Sequence, residues 1–388
     1  MTEISPFPTW GGDRLRSRHL LECLDQMGCE TTALVTNKDS YDFSTLPFAH
    51  VRFVPWPPLD ESLGRPILKY MTPDRGLMAA IQDQLRQADY DVAFIDCGFY
   101  GQYIRPLKAL GLKVIYGTHN AQADLTRQMP ASSFIHGLRI RATAGLQRWH
   151  ERRFLKAADH VIVVSHEDLA YHAEMMPREK LTVLPNFLDL EAYDTERQEE
   201  NQVIMSGNFR AYQNRVGAQW LLDEVWDETL AQRVELILVG RGSKEAFARY
   251  DGERGVRVLG EVETIQPYVA AAKIALVPLL HGSGTRLKCL EAMALGTPLV
   301  ATALGAEGIE HEGAITIADT AADFRAAILA LLDDPARCRE HGRRGRVAME
   351  AYYSSAVAKR ILAVLMGIKV EASDAAARGD PSFDGGDP

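Results

Sequence analysis

Residues 276–302 read LVPLLHGSGTRLKCLEAMALGTPLVAT, and this stretch decides the fold of the chain around it. An apolar run ends at a glycine-rich turn, residues 281–284, and a helix-forming segment then continues to Gly296 and Pro298. A second apolar run begins at Leu299. Strand, glycine turn, helix and strand in this order predict a βαβ unit of a parallel sheet, with the turn at the N-terminus of the helix.

The turn and the start of this helix predict an anion-binding site. Backbone N–H groups of Ser283, Gly284 and Thr285 would point at a ligand, with Thr285 as N-cap, and the helix dipole favours negative charge there. Arg286 and Lys288 add two cations at the end of the helix that is least favourable for them, which indicates a bound phosphate. An ordinary βαβ unit with a solvated basic edge also fits these residues.

Glu291 lies on the same helix, at an offset from which its carboxylate reaches back toward the turn. A sugar hydroxyl would be a suitable partner for it.

The segment GSGTRLKCLEAMALGTPLVAT resembles the donor-site motif of the retaining glycosyltransferases of family 4, which have the GT-B fold. Many members carry a pair of glutamates here; Glu291 matches the second, and Ser283 stands in place of the first. A subgroup with a Gly-x-Gly-x-Arg-x-Lys-x-x-Glu pattern also lacks the first glutamate, and this chain is similar to it. The resemblance implies that Glu291 binds the donor ribose and that the turn and the basic residues hold the diphosphate. Because the missing glutamate usually contacts the donor sugar, the sugar is left open.

Composition favours a soluble two-domain protein. The chain has 388 residues, 46% of them hydrophobic and 24% charged, which is enough for two cores. A formal net charge of −9 argues against nucleic acid as a partner. Five cysteines without metal-ligand spacing predict no structural zinc, no disulfide framework and a reducing compartment. With no bilayer-length apolar run and no recognisable signal peptide, we expect a cytoplasmic protein. Peripheral contact with the inner face of the membrane is compatible with this expectation.

The predicted fold class is α/β, with two Rossmann-like doubly wound domains that face each other across a cleft. The resemblance implies an acceptor-side domain at 1–187, a charged linker at 188–200 and a nucleotide-sugar donor domain at 201–350. A helix within 351–370 is expected to cross back to the first domain. The acidic tail, 371–388, is rich in glycine and proline and is expected to be disordered.

Three places in the first half are candidates for the site. Gly11 and Gly12 would let backbone approach a ligand closely, and the resemblance implies that their loop faces the donor diphosphate; an ordinary Pro/Gly turn fits as well. Asp96 and His119 each follow or end a predicted strand, at the edge where open α/β sheets bind ligands. The resemblance gives His119 a catalytic role and places Asn120 and Asp96 on the acceptor side. A histidine that only bonds a backbone carbonyl is the alternative.

In the second half, GNFRAYQN at 207–214 and LVGRG at 238–242 resemble the family's first donor-side loops. Arg210 lies near the place of a phosphate-facing arginine. Gly260, Glu261 and Val262 correspond to the turn that contacts the nucleobase through backbone groups, and a plain βα turn fits them equally well.

Residues 137–158 contain six Lys or Arg residues against one Glu, together with an apolar face. A basic amphipathic helix of this kind can lie on an anionic membrane, or its apolar face can pack into the core beneath a solvated basic face. Further along, the Ser-x-x-Asp pattern at 165–168 predicts a capped helix.

The predicted function is transfer of a sugar from a nucleotide-diphosphate-sugar donor, a UDP-sugar in preference to a GDP-sugar, to an acceptor hydroxyl with retained anomeric configuration. The acceptor would be a saccharide, a lipid-linked group or another glycoconjugate precursor. No cofactor or metal is expected, because backbone N–H groups with Arg286 and Lys288 would stabilise the leaving diphosphate. The one Asp-x-Asp sequence, residues 89–91, begins a strand away from the expected cleft. A nucleotide-sugar-binding protein without transfer, or a nucleotide-sugar epimerase of the same fold, remain as alternatives.

Overall fold

The computed structural model describes residues 12–36, 41–56, 71–96, 100–127, 133–194, 199–282 and 285–368. The predictions for Gly11, Ser283 and Gly284, and for the tail 371–388, lie outside these residues. Within the described chain, three sheets contain parallel strands throughout.

The first domain contains a two-stranded sheet, β1-β2, and a four-stranded sheet in the order β3-β4-β5-β6. Its strands are β1 (Thr31–Thr36), β2 (Val51–Trp56), β3 (Val92–Asp96), β4 (Lys113–Gly117), β5 (His160–Val163) and β6 (Leu181–Val183). Its helices are α1 (Gly12–Gln26), α2 (Arg75–Gln87), α3 (Ile104–Ala109), α4 (Gln122–Arg127), α5 (Phe134–Phe154) and α6 (His166–Ala173).

The second domain contains a six-stranded sheet in the order β12-β11-β10-β7-β8-β9. Its strands are β7 (Gln202–Ser206), β8 (Glu235–Val239), β9 (Val256–Gly260), β10 (Ile274–Val277), β11 (Leu299–Ala301) and β12 (Ile315–Ile317). Its helices are α7 (Tyr212–Trp220), α8 (Glu228–Ala231), α9 (Ser243–Phe247), α10 (Gln266–Ala271), α11 (Leu287–Ala294), α12 (Ala321–Asp333), α13 (Pro335–Tyr352) and α14 (Ser355–Met366), with a π-helical turn at Leu221–Val225 after α7.

The central strands of the second sheet are apolar runs because helices cover both of their faces. Every residue of β7 and of β10 is buried. Successive side chains of β7 point to opposite faces: Ile204 joins one hydrophobic core, whereas Val203 and Met205 join the other. The strand order reverses between β7 and β10, which is where doubly wound sheets form a ligand crevice.

Helix α11 begins at Leu287, one residue later than an N-cap at Thr285 implies. Arg286 occupies the N-cap position with an extended backbone (φ −87°, ψ 102°) and makes no side-chain capping hydrogen bond. The prediction that Thr285 is the N-cap is therefore wrong, because the chain is still extended at the residue after it.

The final segment is divided between two helices: residues 351 and 352 end α13, and α14 begins at Ser355, within the range 351–370 in which a helix was expected. The chain leaves the helical conformation at Tyr353, and the Ser354 hydroxyl accepts a hydrogen bond from the N–H of Val357 to cap α14. Leu362 of α14 packs in one cluster with Leu20 of α1. Helix α14 thus returns to the first domain, as the predicted fold class requires; the domain limits themselves stay predictions.

Candidate functional site

A cleft of about 1490 Å³ lies between the two domains. Helix α1 and the loop after β4 line it on one side. The loops after β7, β8, β9 and β10, with the first turn of α11, line it on the other. Loops at the carboxyl ends of parallel strands therefore meet there, at the edge where α/β sheets bind ligands.

Lys288 lies at the switch point of the second sheet. Its Nζ donates to the carbonyl oxygen of Ser206 at 2.7 Å and to Oδ1 of Asn214 at 2.8 Å, so the ammonium is held between β7 and α7. A Cβ at Gly207 would lie 2.8 Å from this Nζ, which explains the glycine at that position. Burial lowers the pKa of Lys288 to about 8, against the opposing effects of Cys289 and Glu291. The cation is thus desolvated at the cleft wall, where an anion would stabilise it.

Arg286 and Glu291 flank this ammonium along the chain and also line the cleft. Burial lowers the pKa of the Arg286 guanidinium, and the nearby Glu307 carboxyl opposes that shift. Burial raises the pKa of Glu291 to about 7, and Lys288 opposes the shift. Two desolvated cations and one desolvated carboxyl therefore share one wall, an arrangement suited to a ligand with phosphates and hydroxyls.

The loops after β7 and β8 pack directly on each other. A Cβ at Gly240, which has a φ of 129°, would overlap the carbonyl oxygen of Gly207. Beyond this contact Arg241 lines the cleft beside Glu261, whose Oε2 lies 4.0 Å from the arginine Nε, and Val262 continues the wall.

On the first-domain wall, His119 lies in the cleft directly above a buried carboxylate. His119 Nε2 lies 2.8 Å from Oδ1 of Asp96, and the Ser17 hydroxyl donates to Oδ2 of Asp96 at 2.5 Å. Burial alone would raise the pKa of Asp96, but His119, Arg16 and Ser17 together hold it well below its usual range. The carboxyl is therefore ionised.

One chain of hydrogen bonds joins the two domains at the base of the cleft. Arg16 donates to Oδ1 of Asn186 at 2.9 Å and to the carbonyl oxygen of Leu184 at 3.1 Å. Asn186 Nδ2 in turn donates to the carbonyl oxygen of Thr285, just before α11, at 3.5 Å. Helix α1 of the first domain is thus connected through Asn186 to the loop that precedes α11.

The structure brings together most of the described residues that the sequence singles out. His119, Asn120, Glu261, Val262, Thr285, Arg286, Lys288 and Glu291 all line the cleft. Gly12 is the first residue of α1. Gly260 precedes the lining residues, with a φ of 84° and its N–H bonded to the Ser243 hydroxyl.

Two predicted residues fall elsewhere. Neither Arg210 nor Asp96 is among the described residues that line the cleft. Arg210 is exposed and its Nη2 lies 3.5 Å from Glu245 Oε1, whereas Arg241 lines the cleft from the next loop. Asp96 lies beneath the surface, under His119.

Sequence reasoning missed Arg16, Asn186, Asn214 and Arg241. The LVGRG loop that contains Arg241 was a usable signal. Asn214 likewise ends the GNFRAYQN segment that the sequence singled out. Arg16 and Asn186 act through partners that are distant in sequence, so no local pattern indicates them.

The described part of the chain contains no group of three His, Cys, Asp or Glu side chains that could hold a metal ion. Among the same residues, no helix is both long and apolar enough to cross a bilayer.

Two family models match consecutive parts of the chain. The model described as Glycosyltransferase Family 4 matches residues 10–192, and the one described as Glycosyl transferases group 1 matches residues 200–334. Among curated proteins, a phosphatidyl-myo-inositol mannosyltransferase of Mycolicibacterium smegmatis is 30% identical over 160 residues. That match covers 37% of this chain and 41% of the relative, so it spans about two fifths of the relative's length.

Solved structures match nearly the whole chain. Sucrose-phosphate synthase from Thermosynechococcus elongatus has a TM-score of 0.70 at 18% identity, over 94% of this chain and 96% of that one. Anabaena HepE in complex with UDP has a TM-score of 0.64 at 17% identity, over 94% and 98% respectively. Likeness at such identities concerns the fold, and it confirms the predicted GT-B class.

Proposed function

Because the chain is a GT4-like glycosyltransferase of the GT-B fold, we propose that it transfers a sugar from a nucleotide-diphosphate sugar to an acceptor hydroxyl with retention of anomeric configuration. The observation that carries the proposal is the wall formed by Arg286, Lys288 and Glu291 at the switch point of the second sheet. Two desolvated cations suit a diphosphate, and the neighbouring carboxyl suits a ribose.

The proposed chemistry needs negative charge to be stabilised as the sugar–phosphate bond breaks. Lys288 is fixed by Ser206 and Asn214 before any ligand arrives, so little reorganisation is required when charge develops. Arg286 adds a second cation at the same wall. We propose that these groups act without a metal ion or other cofactor.

A UDP-sugar is our preferred donor, since one structural neighbour is described in complex with UDP and with UDP-glucose. The acceptor is a hydroxyl of a saccharide, a lipid-linked group or another precursor of a polysaccharide or glycoconjugate. A relative named for mannosyl transfer to phosphatidyl-myo-inositol favours a lipid-linked group among these.

A thermal-shift series with UDP, GDP, ADP and TDP tests the donor site. A ligand that binds only the native state raises stability by about 2.7 kcal/mol at 100 times its dissociation constant. We expect a shift with one nucleotide that Arg286→Ala/Lys288→Ala removes. The control Arg257→Ala/Lys273→Ala removes two cations of the same domain that do not line the cleft, and should keep the shift.

Turnover separates the proposal from its alternatives. The corresponding nucleotide sugar should be consumed, with an acceptor or slowly with water, and the first product formed should keep the donor's anomeric configuration by NMR. Binding without consumption would favour a nucleotide-sugar-binding protein. Conversion of the donor into an isomer with the nucleotide still attached would favour an epimerase, and no nucleotide binding at all would refute every version.

Peripheral contact with an anionic membrane on the cytoplasmic side is a further part of the proposal. Helix α5 buries Ile140, Ala144 and Phe154 toward the core. Its outward face exposes Phe134 (89%) and Leu138 (61%), with exposed arginines on the same helix. Apolar anchors beside cations suit an anionic lipid surface.

Co-sedimentation with vesicles of phosphatidylglycerol and phosphatidylcholine tests this contact. We expect binding that falls with salt and with Phe134→Ser/Leu138→Ser. Val364→Ser removes an apolar side chain on α14 that is 79% exposed, and it should have no effect. Equal binding to vesicles of phosphatidylcholine alone would refute an electrostatic component.

A further inference from the structure

Asp96 occupies an unusual place for a carboxylate predicted to bind an acceptor. It ends β3, it is 5% exposed, and it pairs across the sheet with Gly117 of β4. A Cβ at Gly117 would lie 3.2 Å from Asp96 Oδ1, so glycine leaves the room in which the carboxylate turns toward the next loop. The side chain therefore lies within the domain, one layer below the cleft.

Both oxygens of this carboxylate have partners. Oδ1 faces His119 Nε2 at 2.8 Å, and Oδ2 accepts the Ser17 hydroxyl at 2.5 Å. Arg16, from the same helix as Ser17, adds a favourable charge interaction. A buried ionised carboxylate with two short hydrogen bonds has little freedom to rotate toward a substrate.

The contact determines the state of His119. An ionised carboxylate only accepts hydrogen bonds, so His119 Nε2 must carry a proton, which fixes one tautomer of the neutral ring. The attraction that keeps Asp96 ionised also favours, by reciprocity, the positively charged imidazolium. His119 itself is 18% exposed at its side chain and lines the cleft.

We propose that Asp96 is a positioning residue, which fixes the orientation and proton on Nε2 of His119 and does not bind the acceptor. The inference rests on the proposed function and on the catalytic role that the family resemblance implies for His119. Ser17 and Arg16 support this role of Asp96. Both residues belong to α1, so that helix holds the carboxylate in place beside His119.

An NMR titration of the protein with selectively labelled histidine Cε1 tests the His119–Asp96 pairing, and it requires no enzymatic activity. The His119 resonance is assigned by its loss in His119→Ala, and its titration midpoint is followed in wild type and in Asp96→Asn. The carboxylate of Asp96 faces the ring and Arg16 acts on that carboxylate, so removing the negative charge should lower the midpoint by about one pH unit or more. Asp159→Asn is the control: Asp159 is also a hydrogen-bonded first-domain aspartate, with partners Lys108 and Val114, and should leave the midpoint unchanged.

A double-mutant cycle on donor consumption completes the test. Asp96→Asn should lower turnover by up to about 100-fold with little change in KM for the acceptor. In the His119→Ala background the same substitution should change turnover by less than about twofold. Additive losses, or a raised acceptor KM, would show that Asp96 contacts substrate directly, and an unchanged His119 midpoint would refute the pairing. If wild type consumes no donor, the proposed function fails while the titration still decides the pairing.

Discussion

If the nucleotide binds beside Lys288 as proposed, its binding should be coupled to proton uptake. Burial lowers the pKa of Lys288 from 10.5 to about 8, so we expect about half of the ligand-free protein to carry a neutral amine at pH 8. A diphosphate beside Nζ favours the ammonium form, because an opposite charge at short range stabilises the charged state. Binding should therefore draw a proton into the cleft.

The size of the effect follows from the titration curve. If the bound pKa returns to its ordinary range, uptake through Lys288 is roughly 0.1 proton at pH 7, 0.5 at pH 8 and 0.9 at pH 9. Affinity should fall about tenfold between pH 7 and pH 9, because only the protonated fraction binds well. The nucleotide's terminal phosphate is already ionised at pH 8, so it contributes little.

Isothermal titration calorimetry measures the uptake. The nucleotide that gives the largest thermal shift is titrated at pH 8 in Tris and in HEPES, whose ionisation enthalpies differ, and the difference in apparent enthalpy gives the protons bound. Lys288→Met should remove the uptake. Glu291 also titrates nearby, with a pKa of about 7, so Glu291→Gln is needed to isolate the lysine.

Two results would refute the reasoning. Uptake that persists in Lys288→Met would assign the proton to another group. Tight binding with no uptake at pH 8 or pH 9 would mean that the phosphates do not lie beside this amine.

Three further substitutions test the second-domain wall. Gly240→Ala should lower the free energy of unfolding by about 2 kcal/mol or more, since its Cβ would overlap a backbone oxygen; Gly252→Ala, a positive-φ glycine in open space, should cost only about 1 kcal/mol by denaturant unfolding. Arg241→Ala should weaken nucleotide binding measured by calorimetry, and Arg210→Ala should not. A larger loss of affinity in Arg210→Ala would show that Arg210 contacts the nucleotide. Burial raises the pKa of Glu291 from 4.5 to about 7, so the folded state binds the extra proton and stability falls as pH rises through that window. Glu291→Gln should remove this slope in melting temperatures at pH 5 and pH 8, and an unchanged slope would assign it elsewhere.

Local patterns in the sequence predicted most of the elements. The apolar run before the glycine-rich turn predicted β10, because a strand buried on both faces has no polar positions to obscure it. The Ser-x-x-Asp pattern was also reliable, since the Ser165 hydroxyl accepts the N–H of Asp168 as a cap. Such features depend on neighbours in the chain, and the sequence shows those neighbours directly.

The geometry of the site was harder to predict from the sequence, because its contacts join residues that are far apart in the chain. Lys288 was predicted from its motif, but its partner Ser206 lies 82 residues away. Asp96 was predicted at the right strand end, but nothing local shows that its carboxylate turns toward His119. Thr285 failed as an N-cap because one more extended residue precedes the helix, and a single residue of register is beyond what propensity resolves.

The return of α14 to the first domain has a consequence for biosynthesis. Leu362 completes a core with Leu20, and Lys113 Nζ donates to the carbonyl oxygen of Leu365, 252 residues later, at 2.7 Å. While the chain is being translated, the first domain leaves the ribosome long before the helix that covers α1, so its apolar surface stays open until residues 355–366 emerge. A fragment cut at the linker should therefore aggregate, whereas adding a peptide of residues 355–366 in trans should rescue it.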